Sequence, residues 1–225
     1  MAKYAFIICT QNNILKEETN KWISNLFPKN TQIIFQEGYD SIFKAYNDGI
    51  SQLEIDVDFC CFCHEDINVE SINLRSLEKK LKDSKIGFIG VAGAKKLSAS
   101  GMWWEGYSGK PHPNLSGKAG HQKIENNQLK RWINNYGSIG PVQVLDGVIL
   151  FCRKDLLYKI EWDSNYFSGW DFYDISITWL ANHLGYKNIT FSGIELYHWG
   201  LGHMRDDYDN VRQKFLKWIC TLLLR

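Results

Sequence analysis

Apolar positions along the chain gather into short runs that alternate with segments of near-helical spacing. Lys3 to Cys9 (KYAFIIC) reads as a strand, and the polar Thr10-Gln11-Asn12-Asn13 after it as a strand end followed by a helix cap. Ile14, Trp22, Ile23, Leu26 and Phe27 recur on one helical face as far as Pro28, and Thr31 to Phe35 returns to strand chemistry. Asp40 is placed to cap a second helix that turns Ile42, Phe43, Tyr46, Ile50 and Leu53 inward, with Gly49 as its weak point. Val57 to Ile67 follows, an apolar strand that ends abruptly in His64-Glu65-Asp66. Leu74, Leu77 and Leu81 mark a third helix, and Ile86 to Gly93 a fourth strand. This alternation predicts an α/β fold of Rossmann-like type, a mostly parallel central sheet with helices on both faces.

From Ala94 to Gly140 the alternation lapses into a long inserted loop rich in glycine, with the pair Trp103-Trp104 inside it. A connection of that length is either functional or a surface excursion packed by its own tryptophans. Val142 to Phe151 resumes strand character around Asp146-Gly147, which we read as a break that turns a carboxylate toward the crevice. Asp171-Phe172-Tyr173-Asp174 opens a helix that Gly185 stops, so both acids sit near a helix start, as caps or as reactive groups. Ile189 to Tyr197 is read as the last strand, closed by His198-Trp199-Gly200. Val211 to Leu224 is an amphipathic helix suited to the core, to a second copy of the chain or to a membrane surface.

Bulk composition narrows the partners. The 225 residues are 44% hydrophobic and 14% aromatic, enough for one full core and a single domain. Net charge is +1, which gives no footprint for nucleic acid. Residues 1 to 10 lack a signal pattern and no run of eighteen apolar residues occurs, so a cytoplasmic protein, at most peripheral at the inner face of a membrane, is expected. Six cysteines, three of them in one strand, fit a reducing compartment. Nine Trp and eleven Tyr offer platforms for sugar rings and bases as well as core.

The acidic strand end carries the chemistry. Open α/β sheets present ligand groups beyond the carboxyl ends of their strands, and Asp66 with His64 and Glu65 beside it could hold a divalent cation against a diphosphate. Cys60, Cys63 and His64 also spell C-x-x-C-H, the spacing of haem attachment, and contain a dithiol spacing. Redox pairs of that spacing open helices, where the dipole lowers a thiol pKa; here the run continues a strand, and its cysteines read as small buried hydrophobes.

Five pieces in order resemble the glycosyltransferase A fold, and within it the family 2-like group. They are Ala45-Tyr46-Asn47-Asp48-Gly49-Ile50, Phe62-Cys63-His64-Glu65-Asp66-Ile67, Ile89-Gly90-Val91-Ala92-Gly93, Val142 to Gly147, and Phe172-Tyr173-Asp174, within residues 4 to 200. The resemblance implies a nucleotide-binding half over 4–93, an acceptor-binding half over 94–200 and a tail helix over 201–225. It implies transfer of a sugar from a nucleoside-diphosphate sugar to a saccharide or glycoconjugate hydroxyl, inverting and assisted by Mn²⁺ or Mg²⁺, in polysaccharide or glycoconjugate synthesis. Asp66, His64 and His198 would form the metal site, His64 standing where the simplest D-x-D element has its first Asp. Thr10, Asn12, Asn47, Glu65 and Asp146 would contact the donor, Asp146 through hydroxyls of donor or acceptor. Asp174 would be the general base with Asp171 in reserve, and Trp103, Trp104 and Trp170 the acceptor platforms. Two other functions stay open: a sugar-nucleotide-binding or interaction module without turnover, and nucleotidyl transfer, which the missing glycine-rich phosphate loop disfavours.

Overall fold

The computed structural model describes residues 2–199 and 205–224. Among them the chain runs β1 (Tyr4–Thr10), α1 (Asn13–Leu26), β2 (Gln32–Glu37), α2 (Ile42–Ser51), β3 (Phe59–Cys63), β4 (Ile67–Ile72), α3 (Leu74–Leu81), β5 (Ile86–Gly90) and β6 (Ala92–Ala94). It continues through β7 (Leu115–Glu125), β8 (Gln128–Gly137), β9 (Pro141–Val142), β10 (Val144–Leu145), β11 (Ile149–Arg153), α4 (Tyr173–His183), β12 (Lys187–Thr190), β13 (Ile194–Trp199) and α5 (Tyr208–Leu223). One sheet has the order β2-β1-β3-β11-β5-β12-β9, and a second joins β10, β6, β7, β13 and β4, with β8 beside β7.

Helices do cover both faces of the first sheet. Phe6 of β1 meets Trp22 of α1 edge to face, with ring centroids 5.5 Å apart. Its neighbour Ile7, on the opposite face, packs so closely against α2 that a Cβ at Gly49 would overlap it. Gly49 is therefore a contact point between helix and sheet. The cap of α2 is Ser41, and Asp40 instead lies 3.8 Å from Lys44 as an i,i+4 pair.

The sheet is mixed, where the sequence predicts a mostly parallel one. β2, β1 and β3 are parallel, but β11 enters between β3 and β5 antiparallel to both. The turn at Asp146-Gly147 follows the short β10 and precedes β11, which is antiparallel to β3 with Ile149 opposite Cys63. Two apparent single strands divide between the sheets: Ile86 to Gly93 at Val91 into β5 and β6, and Ile189 to Tyr197 into β12 and β13. Gly200 lies outside the described residues.

The inserted segment is more ordered than the sequence suggests. Residues 115–137 form the hairpin β7-β8, turned by Asn126 and Asn127, whose φ values of 52° and 59° are the left-handed pair a tight hairpin needs. Trp103 is buried beside Tyr136 of that hairpin. α5 docks on the core: Phe215 stacks on Phe172 at 5.0 Å, and the Trp218 indole donates to Asp163 at 3.0 Å. Among the described residues no helix is long and apolar enough to cross a membrane.

Candidate active site

β3 delivers His64, Glu65 and Asp66 at its carboxyl end, and β13 delivers His198. The register of β13 on β4 opposes His198 to Ile67, and the Trp199 amide donates to the Asp66 carbonyl at 2.9 Å. That pairing brings the His198 side chain to Asp66. His198 Nε2 lies 3.1 Å from Asp66 Oδ1, His64 Nδ1 lies 3.8 Å from the same oxygen, and the two imidazole nitrogens are 3.3 Å apart. The three ligand atoms all lie within 4.8 Å of one another, so the three predicted metal residues form a cluster able to hold a metal ion. Burial and the neighbouring His198 lower the His64 pKa, which keeps its imidazole neutral as a ligand must be. Burial opposes the charge on Asp66, but the hydrogen bond and charge of His198 outweigh it and hold the carboxylate below its ordinary value. Two nitrogens and one carboxylate oxygen fit Mn²⁺ or a later first-row ion better than Mg²⁺, which favours all-oxygen sites.

Two cavities meet at this cluster. The first, about 580 Å³, is lined by Cys9, Gln11, Tyr46, His64, Glu65, Asp66, Trp170, Asp171 and Arg205 among others. The second, about 420 Å³, has walls of Trp103, Trp104, Tyr107, Tyr136 and Tyr208, with His64, His121, Asp146, Asp171 and His198. His64 and Asp171 line both. Burial raises the Asp171 pKa, with Arg205 opposing it.

Asp174 is the second residue of α4, whose N-cap is Phe172, with a φ of 63° that is unusual for a side chain of that size. Its Oδ2 accepts the Gly147 amide at 2.8 Å and its Oδ1 the Ile175 amide at 2.8 Å. Burial and the nearby Asp146 raise its pKa to about 7. Tyr173 ties this corner to the cluster: its hydroxyl lies 2.6 Å from His64 Nε2 and 3.1 Å from the Gly147 carbonyl. Gly147 must be glycine here, because a Cβ would collide with the Tyr173 hydroxyl and with Asp174. Asp66 and Asp174 are thus joined by a polar path through His64, Tyr173 and Gly147.

The other predicted residues fall unevenly. Glu65 accepts from the Thr10 hydroxyl and from the Gln11 and Asn12 amides at 3.2 and 3.3 Å, so these residues cluster, although it is Gln11, and not Thr10 or Asn12, that joins Glu65 in lining the first cavity. The Asn12 side chain caps α1. Asn47 stands apart: its amide donates to the Trp162 carbonyl at 2.7 Å and accepts the Trp162 amide at 3.2 Å, clipping α2 to residues 162–164. Trp103 and Trp104 share the second cavity, Trp104 the more exposed of the pair, whereas Trp170 faces the first under the Arg205 guanidinium, 5.5 Å away. Sequence reasoning missed Tyr173, whose place between Phe172 and Asp174 was a signal. It also missed Arg205, Tyr208 and His121; the last comes to His198 by strand pairing alone.

The mixed α/β sheet, with acidic and histidine groups gathered beyond its strand ends, fits the glycosyltransferase A fold that the sequence motifs resemble. The chain belongs to the family described as "Glycosyltransferase like family", whose profile matches residues 5–218. No curated protein sequence matches it. Among solved structures it is similar to A197 from STIV, at 11% identity and a TM-score of 0.52, over 88% of this chain and 85% of that one. It is also similar to GalNAc-T7 crystallised with UDP, GalNAc and Mn²⁺, at 9% identity and a TM-score of 0.53, over 88% of this chain but 44% of that one. The catalytic domain of Drosophila β1,4-galactosyltransferase 7 in complex with xylobiose gives 12% identity and a TM-score of 0.50, over 92% and 73%. At such identities these likenesses speak to the fold.

Proposed function

We propose that the protein transfers a sugar from a nucleoside-diphosphate donor held in the first cavity to a saccharide hydroxyl held in the second, with inversion at the anomeric carbon. The observation that carries this reading is the position of the His64-Asp66-His198 cluster at the junction of the two cavities. Transfer forms a bond from the acceptor oxygen to the anomeric carbon and breaks the bond from that carbon to the diphosphate oxygen. It needs a base for the hydroxyl proton and positive charge for the leaving diphosphate. His64, Asp66 and His198 would hold Mn²⁺, which supplies that charge when bound. Arg205 is the sole Lys or Arg among the described residues lining the first cavity and adds to the charge there. Asp174 is the base the motif points to, its pKa of about 7 matching one that works near neutrality, although the second cavity is lined by Asp146 and Asp171 and the Asp174 oxygens accept the Gly147 and Ile175 amides. Asp171, open to both cavities, orients hydroxyls and is the alternative base.

The second cavity defines the acceptor class. Its aromatic walls suit the apolar face of a sugar ring, and the described residues lining it include two carboxylates and neither Lys nor Arg. A neutral or amino sugar fits that environment, and a uronate or phosphosugar does not. The GalNAc-T7 and galactosyltransferase structures, with UDP and GalNAc in one and xylobiose in the other, support a UDP-sugar donor and a saccharide acceptor as the first pair to test.

The test is release of nucleoside diphosphate from a panel of nucleotide sugars with Mn²⁺ or Mg²⁺, with and without neutral and anionic saccharides. Release stimulated by a neutral acceptor, and stronger with Mn²⁺, supports the proposal. Binding without release, across all donors and acceptors, favours a sugar-nucleotide-binding module.

A further inference from the structure

Tyr173 has a single hydroxyl proton and two neighbours that compete for it. The Gly147 carbonyl, 3.1 Å away, can only accept. The His64 Nε2, 2.6 Å away, can donate or accept according to the tautomer. One arrangement satisfies both contacts: the phenol donates to Gly147, and His64 carries its proton on Nε2 and donates it to the phenol oxygen. The neutral imidazole then has an unprotonated Nδ1, the atom that lies 3.8 Å from Asp66 Oδ1 and 3.3 Å from His198 Nε2. The opposite tautomer would place a proton between the three ligand atoms. It would also leave the phenol donating to Nε2, so that the Gly147 carbonyl loses its donor inside a buried corner.

We propose that Tyr173 is a positioning residue that fixes the His64 tautomer, presenting the Nδ1 lone pair to the metal, and that this makes cation affinity depend on a side chain that does not touch the cation. The inference rests on the metal-site reading above. Its support is the geometry of a deliberately tight corner. Gly147 leaves room for the phenol, the left-handed Phe172 aims Tyr173 inward, and the Trp162 indole holds the Tyr173 carbonyl at 2.9 Å. Groups that orient a ligating imidazole through its second nitrogen are worth about 10- to 100-fold in metal affinity. The same hydroxyl donates to the Gly147 carbonyl, and the Gly147 amide donates to Asp174, so one glycine links the group that positions the metal ligand to the support of the base.

The experiment uses the metal alone, without donor or acceptor. Co²⁺ titration followed by its visible spectrum compares the wild-type chain with Tyr173→Phe, which keeps the ring and removes the hydroxyl. Long-range ¹H–¹⁵N correlation of the histidine rings reads the His64 tautomer in both metal-free proteins. The expected results are a proton on His64 Nε2 in the wild type, a mixture of tautomers in the variant, and Co²⁺ affinity weakened about 10- to 100-fold. Thermal unfolding of the metal-free variant shows whether the fold persists; should it not, the wild-type tautomer alone decides. A proton on Nδ1 in the wild type, or equal Co²⁺ affinity in a folded variant, overturns the proposal. Because neither readout needs turnover, a chain that binds Co²⁺ in a Tyr173-dependent way but releases no nucleoside diphosphate would sink the transferase reading and leave this one standing.

Discussion

Asp174 shows how much a single position decides. A carboxylate on an exposed helix start would titrate near its ordinary value and serve as a cap, but burial and the charge of Asp146 lift this one to about 7. A base must be ionised, so transfer should be weak below about pH 6, rise through the pKa and level above about pH 8, provided the acceptor hydroxyl itself stays neutral. Stability runs the other way. The folded pKa exceeds the unfolded one, so the stabilising contribution of this group is complete at acid pH and is lost as pH rises through about 7. Asp174→Asn should retain nucleoside diphosphate binding and lose about 100- to 10,000-fold in transfer rate. If Asp171→Asn shows that loss and Asp174→Asn does not, the base is Asp171. The motif pointed to Asp174 in the sequence; its elevated pKa was not legible there, because it comes first from burial in the folded corner and then from Asp146, which lies 28 positions earlier in the chain.

At the scale of elements, Gly49 separates propensity from packing. Helix propensity alone says that Gly49→Ala should stabilise α2 by about 1 kcal/mol. The Ile7 side chain occupies the space a methyl group would take, and overpacking of that kind costs about 1–3 kcal/mol. Gly49→Ala should therefore lower the urea midpoint with an unchanged slope; a raised midpoint would mean that α2 does not press on the sheet as described. The paired strands and helices of the first half were readable because each completes its own pattern within a dozen residues, as Phe59 to Cys63 does. The direction of β11 and the hairpin β7-β8 were not. Nothing local in Ile149 to Arg153 distinguishes an antiparallel centre strand from a parallel one, since both are buried on two faces. The hairpin announces itself only at Asn126-Asn127, while Gly117 and Gly120 in β7 read as loop. A Cβ at either would collide with neighbouring backbone, the Val91 carbonyl just before β6 for one and the Leu196 carbonyl in β13 for the other. Cys60 and Cys63 likewise lose their apparent motif once β3 is known to be extended, because residues three apart on a strand face opposite ways.

Across the whole molecule, the two sheets contribute different halves of one site. The first supplies His64, Glu65 and Asp66 from β3, the second supplies His198 from β13, and α5 places Tyr208 on the acceptor side by packing against Phe172. The C-terminal helix, read from sequence as suited to core, partner or membrane, spends Tyr208, Phe215 and Trp218 on the core. Sequence order alone could not bring His198 to Asp66, 132 positions away; the register of β13 on β4 does. The most direct measurement is a crystal soaked with Mn²⁺ and a nucleoside diphosphate, with anomalous scattering collected at the manganese edge. The account predicts one manganese peak bounded by His64, Asp66 and His198, with the diphosphate beside it in the cavity under Trp170 and Arg205. A manganese peak elsewhere, or a diphosphate bound away from that cavity, would contradict it.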